Sequence, residues 1–228
     1  GFPDGIGGMA LAEQMAAHAA RFGAETAFEE VTSVDLGVYP FILKTYSATY
    51  RARALILCTG TSPRKMGVPG EGKFIGKGVS FCATCDGYFY REKRVVVVGG
   101  GDSALDEGLY LTRFANEVII VHRRNQLRAT PILQKRAMAN PKMRFVWDTV
   151  IDEVLGESTV SGVRVHNVRT GAESTIPCDG VFVYIGLTPN TSLFKGQVEL
   201  NPDGYIITDK RQRTNVPGVF AAGDVQDP

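Results

Sequence analysis

Two cysteines separated by two residues are the clearest chemical feature of the sequence. Cys82 and Cys85 lie in the run CATCDG, and sulfurs at this spacing come close enough to form and break one disulfide. A structural zinc site is disfavoured, because the other two cysteines stand apart and the three histidines are scattered. The pair therefore predicts thiol-disulfide chemistry, and we expect Cys58 and Cys178 to be small, buried hydrophobic residues.

A glycine turn after the cysteines predicts a dinucleotide site. Arg94–Val98 has the composition of a buried strand, three consecutive glycines follow it, and a helix is expected over residues 103–114. The first amides of such a helix face a pyrophosphate, whereas a turn without a ligand leaves the three glycines unexplained. The residues expected to contact the dinucleotide at this turn are Gly99, Gly101, Asp102, Ser103 and Ala104.

The end of the next strand, Glu117–Val121, indicates which dinucleotide binds. An NAD site usually has an Asp or Glu about 20 residues after the glycines, to accept a hydrogen bond from the ribose. Here that place holds basic residues, namely His122, Arg123, Arg124 and Arg128. Guanidinium groups match a 2′-phosphate in a two-point contact, and a carboxylate would repel it. NADPH is therefore favoured, and the alternative is a solvated basic cluster.

The remaining pattern predicts an α/β protein in which one domain is inserted into another. A helix is expected over residues 8–22, and the run 54–58 is apolar enough for a strand buried on both faces. Stretches rich in Pro and Gly at 61–70 and 186–190 indicate two crossings between domains. Further strands are expected at 27–34, 41–47, 50–53, 181–185, 205–208 and 218–224, with a small meander over 142–147, 151–155, 162–167 and 174–177.

Composition narrows the class of protein. The chain has 228 residues, of which 44% are hydrophobic and 21% charged, and its formal net charge is +1, which is typical of a globular protein. This balance disfavours nucleic acid or a membrane surface as the main partner. No apolar run approaches the roughly 20 residues of a membrane helix. The first residues lack the pattern of a signal peptide, so a cytoplasmic location is expected.

These motifs together resemble a known family. CATCDG, GGGDSA, the basic cluster at 122–128 and the runs 186–190 and 218–225 occur in the order and spacing of the low-molecular-weight thioredoxin reductases of bacteria, archaea and plants. The resemblance covers essentially the whole chain, and the flavin subunit of alkyl hydroperoxide reductase is similar in the same places. It implies two Rossmann-like, three-layer ββα domains, the cofactors FAD and NADPH, a homodimer, and reduction of thioredoxin or a similar small disulfide protein.

The resemblance also implies roles for individual residues. Cys85 would face the flavin, Cys82 would attack the partner, and Asp86 would manage the thiol protons. Tyr88 and Phe89 could form an apolar patch that docks the partner, although ordinary core packing is the favoured interpretation.

The flavin site is expected where two strands of the other domain end. Thr59 and Gly60 follow the apolar run 54–58, and Gly223 and Asp224 end the last predicted strand. A carboxylate beside a tight glycine turn can bind ribityl or ribose hydroxyls, but an Asp that only completes the turn is an equally good interpretation.

The implied domain boundaries follow the two crossings. Residues 1–65 would belong to the FAD domain, 66–186 would form the NADPH domain with the cysteine pair, and 187–228 would return to the FAD domain. The family's chain opens with a further strand, glycine turn and helix and closes with a helix facing the flavin. Neither segment is found in this sequence, so we expect a family member cut at both ends, with an incomplete FAD domain.

Two other functions stay open at this point. One is a non-catalytic NADPH-binding fragment, and the other is the flavin reductase of a peroxide-reducing system. We also expect a polypeptide of only these 228 residues to bind NADPH without binding FAD, and to have no reductase activity.

Overall fold

The computed structural model describes residues 2, 3 and 5–226, so the outer ends of the predicted domains, at Gly1 and Pro228, lie outside the described residues. The helices are α1 (Gly8–Arg21), α2 (Glu71–Phe74), α3 (Ala83–Asp86), α4 (Asp102–Leu111) and α5 (Pro131–Met138), with 3₁₀ turns at Gly87–Tyr90 and Ser192–Phe194. The strands are β1 (Val31–Asp35), β2 (Phe41–Thr45), β3 (Thr49–Ala52), β4 (Leu55–Leu57), β5 (Thr61–Pro63), β6 (Val79–Ser80), β7 (Arg94–Val98), β8 (Glu117–Val121), β9 (Met143–Val146), β10 (Thr149–Gly156), β11 (Val160–Asn167), β12 (Glu173–Pro177), β13 (Gly180–Val183), β14 (Leu187–Pro189) and β15 (Val219–Ala221).

A parallel sheet of five strands, in the order β6-β13-β7-β8-β9, forms the centre of the molecule. Its valines are buried on both faces, as is usual when a parallel sheet is covered on both sides. Val95 and Val97 pack with helix residues such as Leu105, whereas Val96 packs with Val163 of the antiparallel sheet β10-β11-β12. The predicted α/β class with a three-layer arrangement is confirmed.

A second, smaller core lies in the part of the chain that flanks this sheet. Strands β1, β2 and β3 form an antiparallel sheet, and β4 pairs in parallel with β15. Phe41, Leu57 and Ile206 pack together there. The expectation that the run 54–58 is buried on both faces is wrong, because the Ile56 side chain is 67% exposed. In the described part of the chain, nothing covers that face of β4.

The two predicted crossings between the domains, at 61–70 and 186–190, pair with each other. Strand β5 pairs with β14 in an antiparallel ladder that places Pro63 opposite Leu187 and Thr61 opposite Pro189. The sequence predicted only loops at these places, because the glycines and prolines in both runs are typical of turns. The two connections between the central sheet and the flanking core therefore lie side by side.

Several other predictions of secondary structure need correction. Strand β9 belongs to the central sheet and not to the meander, since it pairs in parallel with β8. Residues 205–208 form no strand, because Ile206 makes only isolated bridges to Leu200 and Gln226. Helices α2, α3 and α5 were not predicted. None of the helices in the described residues is long and apolar enough to cross a membrane.

Candidate functional site

The cysteine pair forms a disulfide at the start of α3. Cys82 is half-buried and Cys85 is exposed. The Sγ atom of Cys82 accepts a hydrogen bond from the Cys85 amide at 3.2 Å and lies 3.3 Å from the Thr84 hydroxyl. The Cys82 amide donates to the Ser80 hydroxyl at 3.0 Å. Because donors near a sulfur favour its charged form, the Cys85 amide and the Thr84 hydroxyl are placed to stabilise a Cys82 thiolate once the disulfide is reduced.

A half-buried polar network holds the backbone of the disulfide loop. The Ala83 amide donates to the Tyr184 hydroxyl at 2.8 Å and to Glu107 Oε2 at 3.2 Å, and the same hydroxyl donates to Glu107 Oε2 at 3.4 Å. Burial, followed by the charge of Glu107, raises the pKa of the Tyr184 phenol, so this hydroxyl stays protonated. Neither residue was predicted from the sequence, because both lie far from the cysteines along the chain.

The glycine turn between β7 and α4 is required by close contacts. A Cβ on Gly99, whose φ is +145°, would overlap the Tyr184 carbonyl, and one on Gly100 would overlap the His122 ring. By contrast, a Cβ on Gly101 would have no atom within 4 Å. Within the described part of the chain, no side chain caps the first turn of α4. The turn therefore leaves open space in front of the helix amides, where a phosphate can approach.

A cleft of about 340 Å³ begins at this turn and extends to the basic residues after β8. Arg123 and Arg128 line it, whereas Arg124 does not. The turn and the basic segment are tied together, because the Arg128 amide donates to the Gly100 carbonyl at 2.7 Å. The structure thus brings together, in one cleft, two groups of residues that the sequence predicted separately.

His122 supports this cleft as a neutral residue. Its ring is buried beneath Gly100, and Nε2 lies 3.0 Å from the Gln126 carbonyl oxygen. Burial lowers the pKa of His122 despite that hydrogen bond, and the neighbouring arginines lower it further. An uncharged His122 leaves the guanidinium groups as the cations of the cleft.

Asp102 begins α4, whereas Asp86 ends α3, next to the disulfide. Asp102, at the start of α4, accepts a hydrogen bond from the Thr130 amide at 2.6 Å and so connects the first turns of α4 and α5. The Asp86 amide donates to the Cys82 carbonyl at 3.1 Å, and the half-buried Asp86 lines a separate cavity together with Lys77 and Phe89.

The residues predicted for the flavin lie at the ends of paired strands. Because β4 and β15 run parallel, with Leu57 opposite Ala221, the residues that follow each strand reach the same edge. Gly223 and Asp224 line a cavity of about 280 Å³. Thr59 is engaged by Asn190, since its hydroxyl donates to the Asn190 carbonyl at 2.7 Å.

Tyr88 and Phe89 are surface residues, so the favoured expectation of core packing is wrong. Their side chains are 60% and 69% exposed, because the 3₁₀ turn after α3 directs them to solvent. The rings contact each other edge to face, and the Arg91 guanidinium lies 4.6 Å from the centre of the Tyr88 ring. An exposed aromatic pair therefore stands directly after the disulfide.

The two remaining cysteines differ. Cys178 is buried as expected, and burial, with a smaller contribution from Asp179, raises the pKa of its thiol to about 12. Cys58 is exposed, so the expectation that it is a buried hydrophobic residue is wrong. It follows β4, whose outer face is uncovered in the described chain.

Comparison with known proteins identifies the family. Residues 6–228 match the model of the pyridine nucleotide-disulphide oxidoreductases. The chain belongs to this family. A thioredoxin reductase of Streptomyces coelicolor is 48% identical over all of the chain and 71% of its own length, and one of Rickettsia prowazekii is 48% identical over all of the chain and 75% of its own length. The crystal structure of Lactococcus lactis thioredoxin reductase in its FR conformation aligns with a TM-score of 0.89 at 39% identity, covering 99% of this chain and 76% of that chain.

Membership of this oxidoreductase family confirms the resemblance, the fold class and the general function stated from the sequence. That function is disulfide reduction with electrons from NADPH, and the thioredoxin reductases use FAD as the second cofactor. The described residues fit NADPH, because the cleft combines an open glycine turn, a helix start without a cap and several lining arginines. They also fit the hydroxyl-bearing part of FAD, because an exposed carboxylate, Asp224, follows a glycine whose Cβ position is open.

Proposed function

We propose that this chain, when loaded with FAD, passes electrons from NADPH to thioredoxin, with Cys82 and Cys85 as the redox centre. The observation that carries the proposal is the disulfide next to the dinucleotide cleft. Tyr184 lines the cleft, and its hydroxyl accepts a hydrogen bond from the Ala83 amide between the two cysteines. The curated relatives that align with the whole of this chain are thioredoxin reductases. The homodimer and the cytoplasmic location expected from the sequence stay predictions.

The domain division is part of the proposal. Residues 66–186 would form the NADPH domain with the redox pair, and residues 1–65 and 187–228 would contribute to the FAD domain. Two buried clusters that share the central sheet support the first unit, and the separate cluster around Phe41 and Ile206 supports the second.

The cofactor residues follow the same division. Gly101, Ser103 and Ala104 would hold the pyrophosphate of NADPH with backbone amides. Gly99, whose own amide donates to the Val121 carbonyl at 3.1 Å, would form the turn that lets the pyrophosphate approach, and Asp102 and His122 would keep that turn in position. Arg123, Arg124 and Arg128 would bind the 2′-phosphate. Thr59, Gly60, Gly223 and Asp224 would face FAD, which when bound supplies the two-electron chemistry that connects NADPH oxidation with reduction of the disulfide.

The chain's own residues then perform thiol-disulfide exchange. The Cys82 thiolate attacks one sulfur of the partner disulfide, a mixed disulfide forms, and the second partner sulfur leaves as a thiolate. The Cys85 thiolate next attacks Cys82 Sγ, which restores the Cys82–Cys85 disulfide and releases the partner's first sulfur as a thiolate. Asp86 would take and return the thiol protons. The amide of Cys85 and the hydroxyl of Thr84 beside Cys82 Sγ support Cys82 as the attacking group.

The exposed aromatic pair would receive the partner. Tyr88 and Phe89 follow the disulfide directly and present apolar surface beside the cationic Arg91. Exposed aromatic side chains of this kind are enriched at protein interfaces.

Replacement of each cysteine tests the assignment. In the flavin-loaded enzyme, we expect Cys82→Ser and Cys85→Ser each to abolish NADPH-dependent reduction of thioredoxin. In a Cys58→Ser background, which removes the exposed free thiol, only reduced Cys85→Ser should form a stable mixed disulfide with a thioredoxin activated as its thionitrobenzoate disulfide, because Cys82 attacks and no second thiol resolves the product. Mass spectrometry measures the adduct, and Cys178→Ala serves as the cysteine control. Full turnover by either serine variant would reject the redox centre, and an adduct on Cys82→Ser alone would reverse the two roles.

A further inference from the structure

Arg64 brings another guanidinium group to the dinucleotide cleft, from the crossing between the two cores. It follows β5 directly and lines the cleft together with Gly99 and Gly100. Arg64 was not predicted as a site residue, because it stands among the Pro and Gly residues of a predicted loop and outside the predicted NADPH domain.

The position of the Arg64 side chain is set by β14 and the residue before it. The Arg64 amide donates to the Gly186 carbonyl at 3.0 Å, and Nη2 donates to the Leu187 carbonyl at 3.2 Å. The guanidinium lies over Gly186, whose Cβ position is 4.0 Å from Arg64 Cζ. Two residues earlier, the Tyr184 carbonyl contacts Gly99. Arg64 is thus held by the segment that also packs against the glycine turn.

The charge of Arg64 is not neutralised within the described chain. Among residues 2, 3 and 5–226, no carboxylate forms an ion pair with Arg64, Arg123 or Arg128, the three arginines of the cleft. The contact with Leu187 uses one N–H group of Arg64, and a guanidinium has five donors. Donors therefore stay available for an anion at the glycine end of the cleft.

We infer that Arg64 binds the pyrophosphate of the dinucleotide, opposite the amides of α4. This inference rests on the proposed dinucleotide site. It divides the arginines of that site into two groups. Arg123 and Arg128 contact the 2′-phosphate, which only NADPH has, whereas Arg64 contacts the phosphates that NADPH and NADH share. Arg64 consequently contributes to the affinity for both NADPH and NADH and does not contribute to the selectivity between them.

Binding measurements on variants of the full chain test this division. For Arg64→Ala, we expect calorimetry to show NADP⁺ affinity falling by about tenfold or more, the typical effect of one charged hydrogen bond. Binding of 2′-AMP, which lacks the pyrophosphate, should change by less than about twofold. Arg64→Lys should lose part of the NADP⁺ affinity, because it keeps the charge and loses the planar fork. Lys65→Ala, a change at the next exposed residue, is the matched control and should bind NADP⁺ like the wild type.

The other outcomes separate the inference from the proposed site. Unchanged NADP⁺ affinity in Arg64→Ala would overturn the inference and leave the site intact. Equal loss of NADP⁺ and 2′-AMP affinity, or a change in the NADPH to NADH ratio of kcat/KM in the flavin-loaded enzyme, would also overturn it, because Arg64 would then act on the cleft as a whole or on the 2′-phosphate. Failure of the wild type to bind NADP⁺ would reject the dinucleotide site itself, and the inference with it.

Discussion

The central sheet and the flanking core are built from similar apolar strands, yet they are buried to different extents. Val95, Val96 and Val97 of β7 are completely buried between helices and a second sheet. In the flanking part, Ile56 of β4 is 67% exposed, and α1 buries none of its side chains against the described residues. An apolar pattern therefore predicts that a strand forms, but the neighbouring elements decide how many of its faces are covered.

The same two regions differ in chemistry. Around the central sheet, residues distant in sequence meet at one edge, where the glycine turn, three arginines and Tyr184 line a single cleft. At the opposite end of β8, Arg94 and Arg144 are both paired with Glu117. The arginines without a carboxylate partner thus lie where an anionic ligand is expected. The arginines at the far end of the sheet are ion-paired within the protein.

The largest effect in this comparison is expected for stability. Phe182→Ala should lower the free energy of unfolding by about 3–5 kcal/mol, because it leaves a cavity in the central core. Ile56→Ala, in the flanking strand, should cost less than about 0.5 kcal/mol, because that side chain is exposed. Urea denaturation followed by circular dichroism measures both, and similar costs for the two variants would remove the distinction between the regions.

A smaller effect is expected for cofactor selectivity. Replacing Arg123 and Arg124 by Ala should weaken NADPH relative to NADH by about 1.5–3 kcal/mol for each charged hydrogen bond lost. We expect the larger share from Arg123, because it lines the cleft and Arg124 does not. Steady-state kinetics of the flavin-loaded enzyme with both nucleotides gives the ratio, and Arg144→Ala is the control at the far end of the sheet. An unchanged ratio in the double variant would assign these arginines to the solvated surface.

The smallest effect concerns the two free thiols, one in each region. Burial raises the pKa of Cys178 from 9.0 to about 12, so its thiol is neutral in the folded protein at pH values where the unfolded chain ionises it. This contribution to stability is complete below pH 9 and is lost as the pH rises toward 12, by up to about 1.4 kcal/mol per pH unit. Urea denaturation at pH 8.5 and pH 10 should therefore show a steeper loss for wild type than for Cys178→Ala.

Thiol labelling of the native protein provides an independent check. With the Cys82–Cys85 disulfide intact, Ellman's reagent should react with exposed Cys58 and reach Cys178 only after unfolding. Rapid labelling of Cys178 in the folded protein would contradict its burial.

Local sequence patterns were enough to predict the cysteine pair, the basic cluster and the strands beside them. The predicted strands Arg94–Val98 and Glu117–Val121 have the same bounds in the structure, because apolar β-branched runs between turn residues are strong local signals. The cysteine pair and the basic cluster were also evident, since each consists of near neighbours in the chain. The predicted helix 103–114 was close to α4, which begins at Asp102 and ends at Leu111.

The sequence by itself determined the α/β class, the disulfide chemistry and the preference for NADPH, because these depend on residues close together along the chain. Only the tertiary structure decided that Tyr184 and Glu107 hold the Ala83 amide, that Arg64 joins the cleft and that β5 pairs with β14. It also decided the exposure of Ile56. Each of these features is a contact between segments far apart in sequence, or the lack of one, and no local propensity or spacing encodes such contacts.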